Sequence, residues 1–234
     1  MTNKGFVIYH SDQAATWQID LSFESPTANG RHDELLKCIE QLFTAFDKFV
    51  RPLELECVLF DVDGDLPATM APQREHRSNP RVHDLELSTE NPYQDLCSVL
   101  ESDSPPDPKT LLLTRLTVID ASTCFRLADG DQWVSTSSDR YRHDPHQPTD
   151  DPAFPPLSFN LVANSPLSAP PSGAISIETH TRIWFNDCEI SRTNRERLVE
   201  ALSTLIDLLG EDVTVSSEFV PSPYDDEILD SIRN

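Results

Sequence analysis

The same order of hydrophobic patterns, strand then helix then strand, occurs near the start of the chain and again near its end. Residues 16–24 (TWQIDLSFE) alternate between apolar and polar side chains, which predicts a strand with one buried face. Residues 31–50 have apolar side chains three and four positions apart, which predicts an amphipathic helix. Residues 53–62 predict the second strand. The expected inner face of the helix consists of Leu35, Cys38, Ile39, Leu42, Phe46 and Phe49.

The second occurrence begins with residues 174–185 (AISIETHTRIWF), whose alternation predicts another half-buried strand. Thr193 and Glu196 have the spacing of a capping box, in which a hydroxyl and a carboxylate satisfy the free amides at a helix start. We expect this helix to end at Gly210, since glycine favours helix C-termini. A strand over 213–220 follows.

These patterns predict an α+β fold, with a mostly antiparallel sheet and the two main helices on one of its faces. The two helix sequences superpose without a gap and have equivalent strands on both sides, which is compatible with two related ββαβ halves. We expect a single domain over 1–234, with the halves at 1–66 and 157–221. A middle region rich in strands and loops, 67–156, separates them.

In this middle region, four prolines and many polar residues predict a long loop over 67–92. Asn91 and Pro92 predict a helix start, with asparagine as the N-cap and proline at the first helical position. Residues 110–127 predict a long strand, or a hairpin bent near 120–122.

The charge balance limits the partners that the protein can have. There are 40 acidic residues against 18 lysines and arginines, a formal net charge of −22. Binding to nucleic acid or to an anionic membrane needs clusters of basic residues, so we expect neither partner. Two explanations of the acidity stay open. One is adaptation to a salt-rich, halophilic cytosol, which the even spread of acids favours; the other is a basic protein partner.

The five cysteines are odd in number and form no CxxC pair, which is not typical of a disulfide framework or a zinc site. We therefore expect free, buried thiols in a reducing compartment and no cofactor. No apolar run is long enough to span a bilayer, and the first residues lack the apolar segment of a signal peptide. These features predict a soluble, cytoplasmic protein.

The segment VLFDVDGDL, residues 58–66, resembles motif I of the haloacid dehalogenase superfamily of phosphatases. The resemblance implies that Asp61 is a nucleophile and Asp63 a general acid, with Mg²⁺ beside them. Asp65 departs from the threonine of that motif, and Pro67 interrupts the helix that should follow. A strand that runs out into an acidic turn is therefore the simpler interpretation.

A metal-dependent hydrolase is the alternative function that this turn suggests. It would use Asp61, Asp63 and Asp65, with His143 or His146 of the HDPH segment as further ligands. The HDPH segment lacks the helical spacing of metalloprotease histidines and lies in a polar, proline-rich stretch. An adventitious divalent cation is the lesser expectation for the same carboxylates.

The leading hypothesis is a non-enzymatic module that acts through protein partners or self-association. It would be a subunit of a larger assembly or an immunity-like inhibitor of a partner protein. One candidate contact surface is the polar face of the strand at 174–185, where an exposed tryptophan beside histidine and arginine is typical of a binding patch. Its residues are Glu178, His180, Arg182 and Trp184.

The second candidate contact surface is the C-terminal stretch, which places apolar residues on one side among acids like a docking helix. Its residues are Tyr224, Ile228, Leu229 and Ile232.

Overall fold

The computed structural model describes residues 10–52, 54–63, 81–86, 91–102, 109–118, 123–126, 133–135, 157–163, 172–181, 184–185, 187–210, 214–219 and 228. Within these ranges the helices are α1 (Ala28–Phe46), α2 (Pro92–Ser102) and α3 (Glu189–Leu209). The strands are β1 (His10–Ser22), β2 (Val50–Pro52), β3 (Glu54–Asp63), β4 (Arg81–Glu86), β5 (Lys109–Val118), β6 (Thr123–Arg126), β7 (Trp133–Ser135), β8 (Ser158–Val162), β9 (Ser172–Thr181) and β10 (Thr214–Phe219).

Seven of the strands form one sheet in the order β10-β1-β9-β8-β5-β3-β4, and every neighbouring pair is antiparallel. Strands β2, β6 and β7 form a separate three-stranded antiparallel sheet. The predicted α+β class with antiparallel pairing is confirmed. None of the helices in the described ranges has the length and apolarity needed to cross a membrane.

The two predicted strand–helix–strand units span the sheet differently. In the first, β1 and β3 are parallel to each other with three strands between them, and α1 lies between them in sequence. In the second, β9 and β10 are parallel with only β1 between them, and α3 connects them. The duplication and the single-domain boundaries stay predictions.

The core lies between one face of the seven-stranded sheet, which we call the inner face, and the long helices. Ile19, Ile175 and Leu161 are successive partners on β1, β9 and β8, and all three are buried. The ring of Phe46 on α1 meets the ring of Phe159 on β8 edge-on, with centroids 4.9 Å apart. From α3, Leu198, Ala201, Leu202 and Leu205 join the same cluster of buried side chains. The predicted inner face of the first helix is confirmed for Leu35, Ile39, Leu42 and Phe46, which are buried. Phe49 is buried too, in the turn after α1, and Cys38 is half-buried.

The ends of two helices follow local sequence signals. The side chain of Asn91 accepts a hydrogen bond from the backbone N–H of Gln94 at 3.2 Å, so the predicted cap of α2 is confirmed. Gly210 ends α3 with φ +103°, a conformation that favours glycine, and its N–H donates to the carbonyl of Ile206 at 3.0 Å.

The predicted capping box of α3 is wrong. The helix begins one turn earlier, with Cys188 at its N-cap, and Thr193 lies inside it. The hydroxyl of Thr193 donates to the carbonyl of Glu189 at 3.1 Å instead of capping a free amide. The extra turn brings Asn194 and Arg195 into the interior, where both are buried.

Two further expectations are wrong because strand pairing continues where turn residues predicted a break. β3 extends to Asp63, so Asp61 and Asp63 belong to the strand and not to an acidic turn; their partners on β5 are Leu111 and Lys109. The predicted loop over 67–92 contains β4, which pairs with β3 along its whole length.

Candidate functional site

Trp184 is buried and is not an exposed contact residue. Its side chain is fully buried, and its indole N–H donates to the hydroxyl of Thr179 at 2.8 Å. Because β9 ends at Thr181, the strand alternation that predicted an outward tryptophan has stopped before this residue. The guanidinium of Arg195 donates to the Trp184 carbonyl at 3.0 Å, and the Phe49 ring lies edge-on to the indole at 6.2 Å. The expectation that Trp184 is an exposed binding residue is therefore wrong.

The other residues of that predicted patch have different positions. Glu178 is half-buried on β9, where its register partners are Thr16 and Ser158. The backbone of His180 belongs to β9, but its side chain lies outside the described part of the structure, and Arg182 lies outside the described residues. Of the predicted group of four, the structure describes the side chains of Glu178 and Trp184 only, and of these two only Glu178 is partly exposed.

Ile228, predicted to contact a partner, is fully buried in the hydrophobic core of its own chain. The expectation that this side chain is exposed for docking is wrong, because it packs within the fold; a contact role for the C-terminal stretch stays a prediction. Tyr224, Leu229 and Ile232 lie outside the described residues.

The metal-binding alternative falls mainly outside the described residues. Asp65, His143 and His146 are not among them, and only the backbone of Asp61 and Asp63 is placed, within β3. Elsewhere in the described ranges, no group of three or more His, Cys, Asp or Glu side chains could hold a metal ion.

The strongest candidate surface is the face of the seven-stranded sheet opposite the core, which we call the outer face. Antiparallel register places the outward positions of neighbouring strands in continuous rows. The first row crosses all seven strands at Ser216, Gln18, Ser176, Asn160, Thr117, Glu56 and Asp84.

The rows on either side of this first row carry further charges. The row on one side contains Glu218, Thr16, Glu178, Ser158, Glu54 and Glu86. The row on the other side contains Thr214, Asp20, Ala174, Val162, Arg115, Val58 and Val82. Glu218 and Arg115 are placed in these rows by their backbone alone. Among the row residues whose side chains the structure describes, six are acidic and none is a lysine or arginine: Asp20, Glu54, Glu56, Asp84, Glu86 and Glu178.

Two like-charged pairs lie at one edge of the outer face. Glu54 on β3 is the direct partner of Glu86 on β4, and Glu56 is the direct partner of Asp84. Asp84 and Glu86 are exposed, while Glu54 and Glu56 are half-buried. Like charges directly opposite one another on neighbouring strands destabilise a sheet by ~0.2–1 kcal/mol per pair. We call these four residues the carboxylate edge.

The sequence showed only half of the carboxylate edge. The alternation of Glu54 and Glu56 with apolar residues in β3 predicted that both face outward. Asp84 and Glu86 were missed because the proline-rich composition of 67–92 predicted a loop. The segment RVHDLE does alternate at its second half, where buried Leu85 separates exposed Asp84 and Glu86, and this was the signal available.

An exposed thiol was also missed. Cys188 is exposed at the N-cap of α3, with its Sγ 3.2 Å from the hydroxyl oxygen of buried Ser191. Hydrogen bonds to its sulfur from the Ser191 side chain and from the backbone of Ser191 and Ile190 lower the pKa of this thiol. By contrast, burial raises the pKa of Cys57 to about 12, in agreement with the expected buried thiols.

Comparison with protein-family models, with curated proteins and with solved structures finds no match to this chain. A function can therefore be inferred only from the fold and the surface residues of the chain itself.

Proposed function

We propose that the protein is a non-enzymatic, cytoplasmic interaction module whose outer sheet face docks onto a basic surface of a protein partner. The observation that supports this most directly is the carboxylate edge. Two like-charged pairs lie in direct register there, an arrangement that in general destabilises a sheet. A basic partner would turn this repulsion into attraction across the interface.

The position of the charges supports the same proposal. The long helices pack on the inner face, whereas the described side chains of the charged outer-face residues are exposed or half-buried. Two copies of such a face would repel each other, so self-association through it is disfavoured and a partner of opposite charge is the better fit. An inhibitor that covers a basic protein, or a subunit beside a basic neighbour in an assembly, would both use it.

Partner capture with charge-reversed variants tests this proposal. The sheet variant carries Asp84→Lys and Glu86→Lys, and the helix control carries Glu196→Lys and Asp207→Lys; all four native residues are exposed. Both variants change the net charge equally. Immobilised wild type, sheet variant and control are incubated with lysate of the native organism in 0.1 M KCl, and retained proteins are quantified.

We expect a basic protein that is retained by wild type and by the helix control but lost from the sheet variant. Proteins retained equally by all three would overturn the outer face as the docking surface.

Thermal stability in low and in molar KCl distinguishes the two explanations of the acidity. A large gain in stability with salt favours adaptation to a salt-rich cytosol, whereas equal stability favours a partner.

A further inference from the structure

A groove of about 340 Å³ lies between α1 with the turn that follows it and α3, away from the outer face. This volume is at the lower end of the range for small-molecule sites, roughly 300–1,000 Å³. The residues from α1 and its following turn are Thr44, Ala45, Lys48 and Phe49, and those from α3 are Arg197, Glu200, Ala201 and Thr204.

The charge of this groove is opposite to that of the chain. Acids outnumber lysines and arginines by more than two to one in the sequence, yet the groove has two basic residues, Lys48 and Arg197, and one acid, Glu200. A second groove of the same volume, between α1, β2 and α2, shows the opposite balance, with Glu40 and Asp47 against Arg51. The lining of the first groove thus has more basic than acidic residues, in contrast to the chain as a whole, and one of its basic residues, Lys48, is paired with Glu200.

The floor of the groove is apolar. Ala45, Phe49 and Ala201 line it and are all buried, with one alanine from α1 and the other from α3. The Phe49 ring is held by its contacts with Phe46 at 5.7 Å and with Trp184 at 6.2 Å. A ligand in this groove thus meets a fixed apolar floor below charged walls.

Lys48 and Glu200, one charged residue from each side of the groove, form an exposed ion pair. The ammonium of Lys48 lies 2.6 Å from a carboxylate oxygen of Glu200, and the two side chains are 72% and 61% exposed. Exposed ion pairs of this kind contribute little to stability. Exchange of the Glu200 carboxylate for a ligand carboxylate at Lys48 therefore meets little resistance. The hydroxyl of Thr204 donates to the Glu200 carbonyl at 2.7 Å, which fixes the groove wall beside the pair.

We propose that this groove binds a small organic carboxylate, whose charged end replaces Glu200 at Lys48 and whose apolar body lies on Phe49 and the two alanines. The groove is separate from the outer face, and this site is independent of the proposed docking function.

The test uses phenylacetate as the probe, at low ionic strength, with binding followed through the NMR signals of Ala45, Lys48 and Ala201. Phenylacetamide has the same body without the charge, and inorganic phosphate has charge without the body. We expect saturable shifts with phenylacetate and at least fivefold weaker binding of the other two. Equal binding of the neutral amide or of phosphate, or no saturable shift of these three signals, would overturn the proposal.

Variants of the ion pair complete the test, and both side chains are largely exposed, so neither substitution removes a core contact. Lys48→Met should weaken phenylacetate binding about fivefold, and Glu200→Gln should strengthen it by a similar factor, because the competing carboxylate is gone. Lys37→Met removes an exposed lysine from α1, the helix that precedes the turn with Lys48, and is the matched control. Equal loss of affinity in Lys48→Met and Lys37→Met would show a general charge effect and contradict a site at Lys48.

Discussion

The carboxylate edge predicts that a lysine at position 86 stabilises the fold at low salt. Two unit charges ~5 Å apart in water interact by about 0.8 kcal/mol. With a Debye length of ~10 Å at 0.1 M salt, this falls to about 0.5 kcal/mol. Glu86→Gln removes that repulsion from Glu54, and Glu86→Lys replaces it with an attraction of similar size. We therefore expect gains of about 0.5 and about 1 kcal/mol in the free energy of unfolding.

Urea unfolding and thermal melts in 0.1 and 1 M KCl measure these gains. For a chain of this size, about 1 kcal/mol shifts the melting temperature by roughly 2–4 °C. At 1 M salt the Debye length is ~3 Å, so most of the gain should disappear.

Glu196→Lys is the matched control for this charge reversal. Its helix neighbours four positions away are Arg192 and Glu200, so the reversal exchanges one favourable pair for another. An equal gain in Glu86→Lys and in this control, or a gain in Glu86→Lys that persists at 1 M salt, would refute repulsion within the carboxylate edge.

Three further predictions concern the two ends of α3 and the hydrogen bond between Trp184 and Thr179. The rate of Cys188 alkylation by iodoacetamide, measured by mass spectrometry as a function of pH, should have its midpoint at a lower pH than the rate of an unperturbed cysteine thiol. Ser191→Ala should move this midpoint to higher pH, because a hydrogen bond that favours the thiolate is lost. Thr179→Val leaves the buried indole N–H of Trp184 without its hydroxyl acceptor and should lower the free energy of unfolding by about 1–3 kcal/mol, whereas Thr179→Ser keeps a hydroxyl and should lose less. Gly210→Ala should cost about 1 kcal/mol in urea unfolding, because alanine is strained at φ +103°; an unchanged midpoint would contradict this.

Helices and half-buried strands could be predicted from the sequence because their signals are local. The inward residues of α1 repeat with the helical period, and Leu35, Ile39 and Leu42 are buried as that period requires. Asn91 caps α2 for an equally local reason, since its side chain reaches an amide three residues away.

Features that depend on distant partners could not be predicted. β4 lies in a stretch whose prolines predict a loop, and it is a strand because β3 offers a pairing edge. Trp184 continues the row of alternate positions that polar Glu178 and His180 occupy, as an outward residue would, but the strand stops at Thr181 and the indole donates to Thr179. Alternation shows which residues share a face only as long as the strand lasts.

For the same reason, only two of the four residues of the carboxylate edge could be predicted from the sequence. The sequence indicates that Glu54 and Glu56 face outward, but it does not indicate what lies opposite them. Only the register of β3 with β4 places Glu86 and Asp84 there. The charge of the groove between α1 and α3 was likewise hidden, because Lys48 and Arg197 are far apart in the sequence.

The position of β1 has a consequence for how the chain reaches its fold. This strand comes near the start of the chain, yet both of its neighbours, β9 and β10, come from the last third. During synthesis, β1 cannot pair with its neighbouring strands until most of the chain has been made. Closing such long loops slows folding. The same arrangement interlocks the predicted halves, since the first strand of one is enclosed by two strands of the other. A fragment that ends before β9 would expose both edges of β1, which makes such a fragment prone to aggregation.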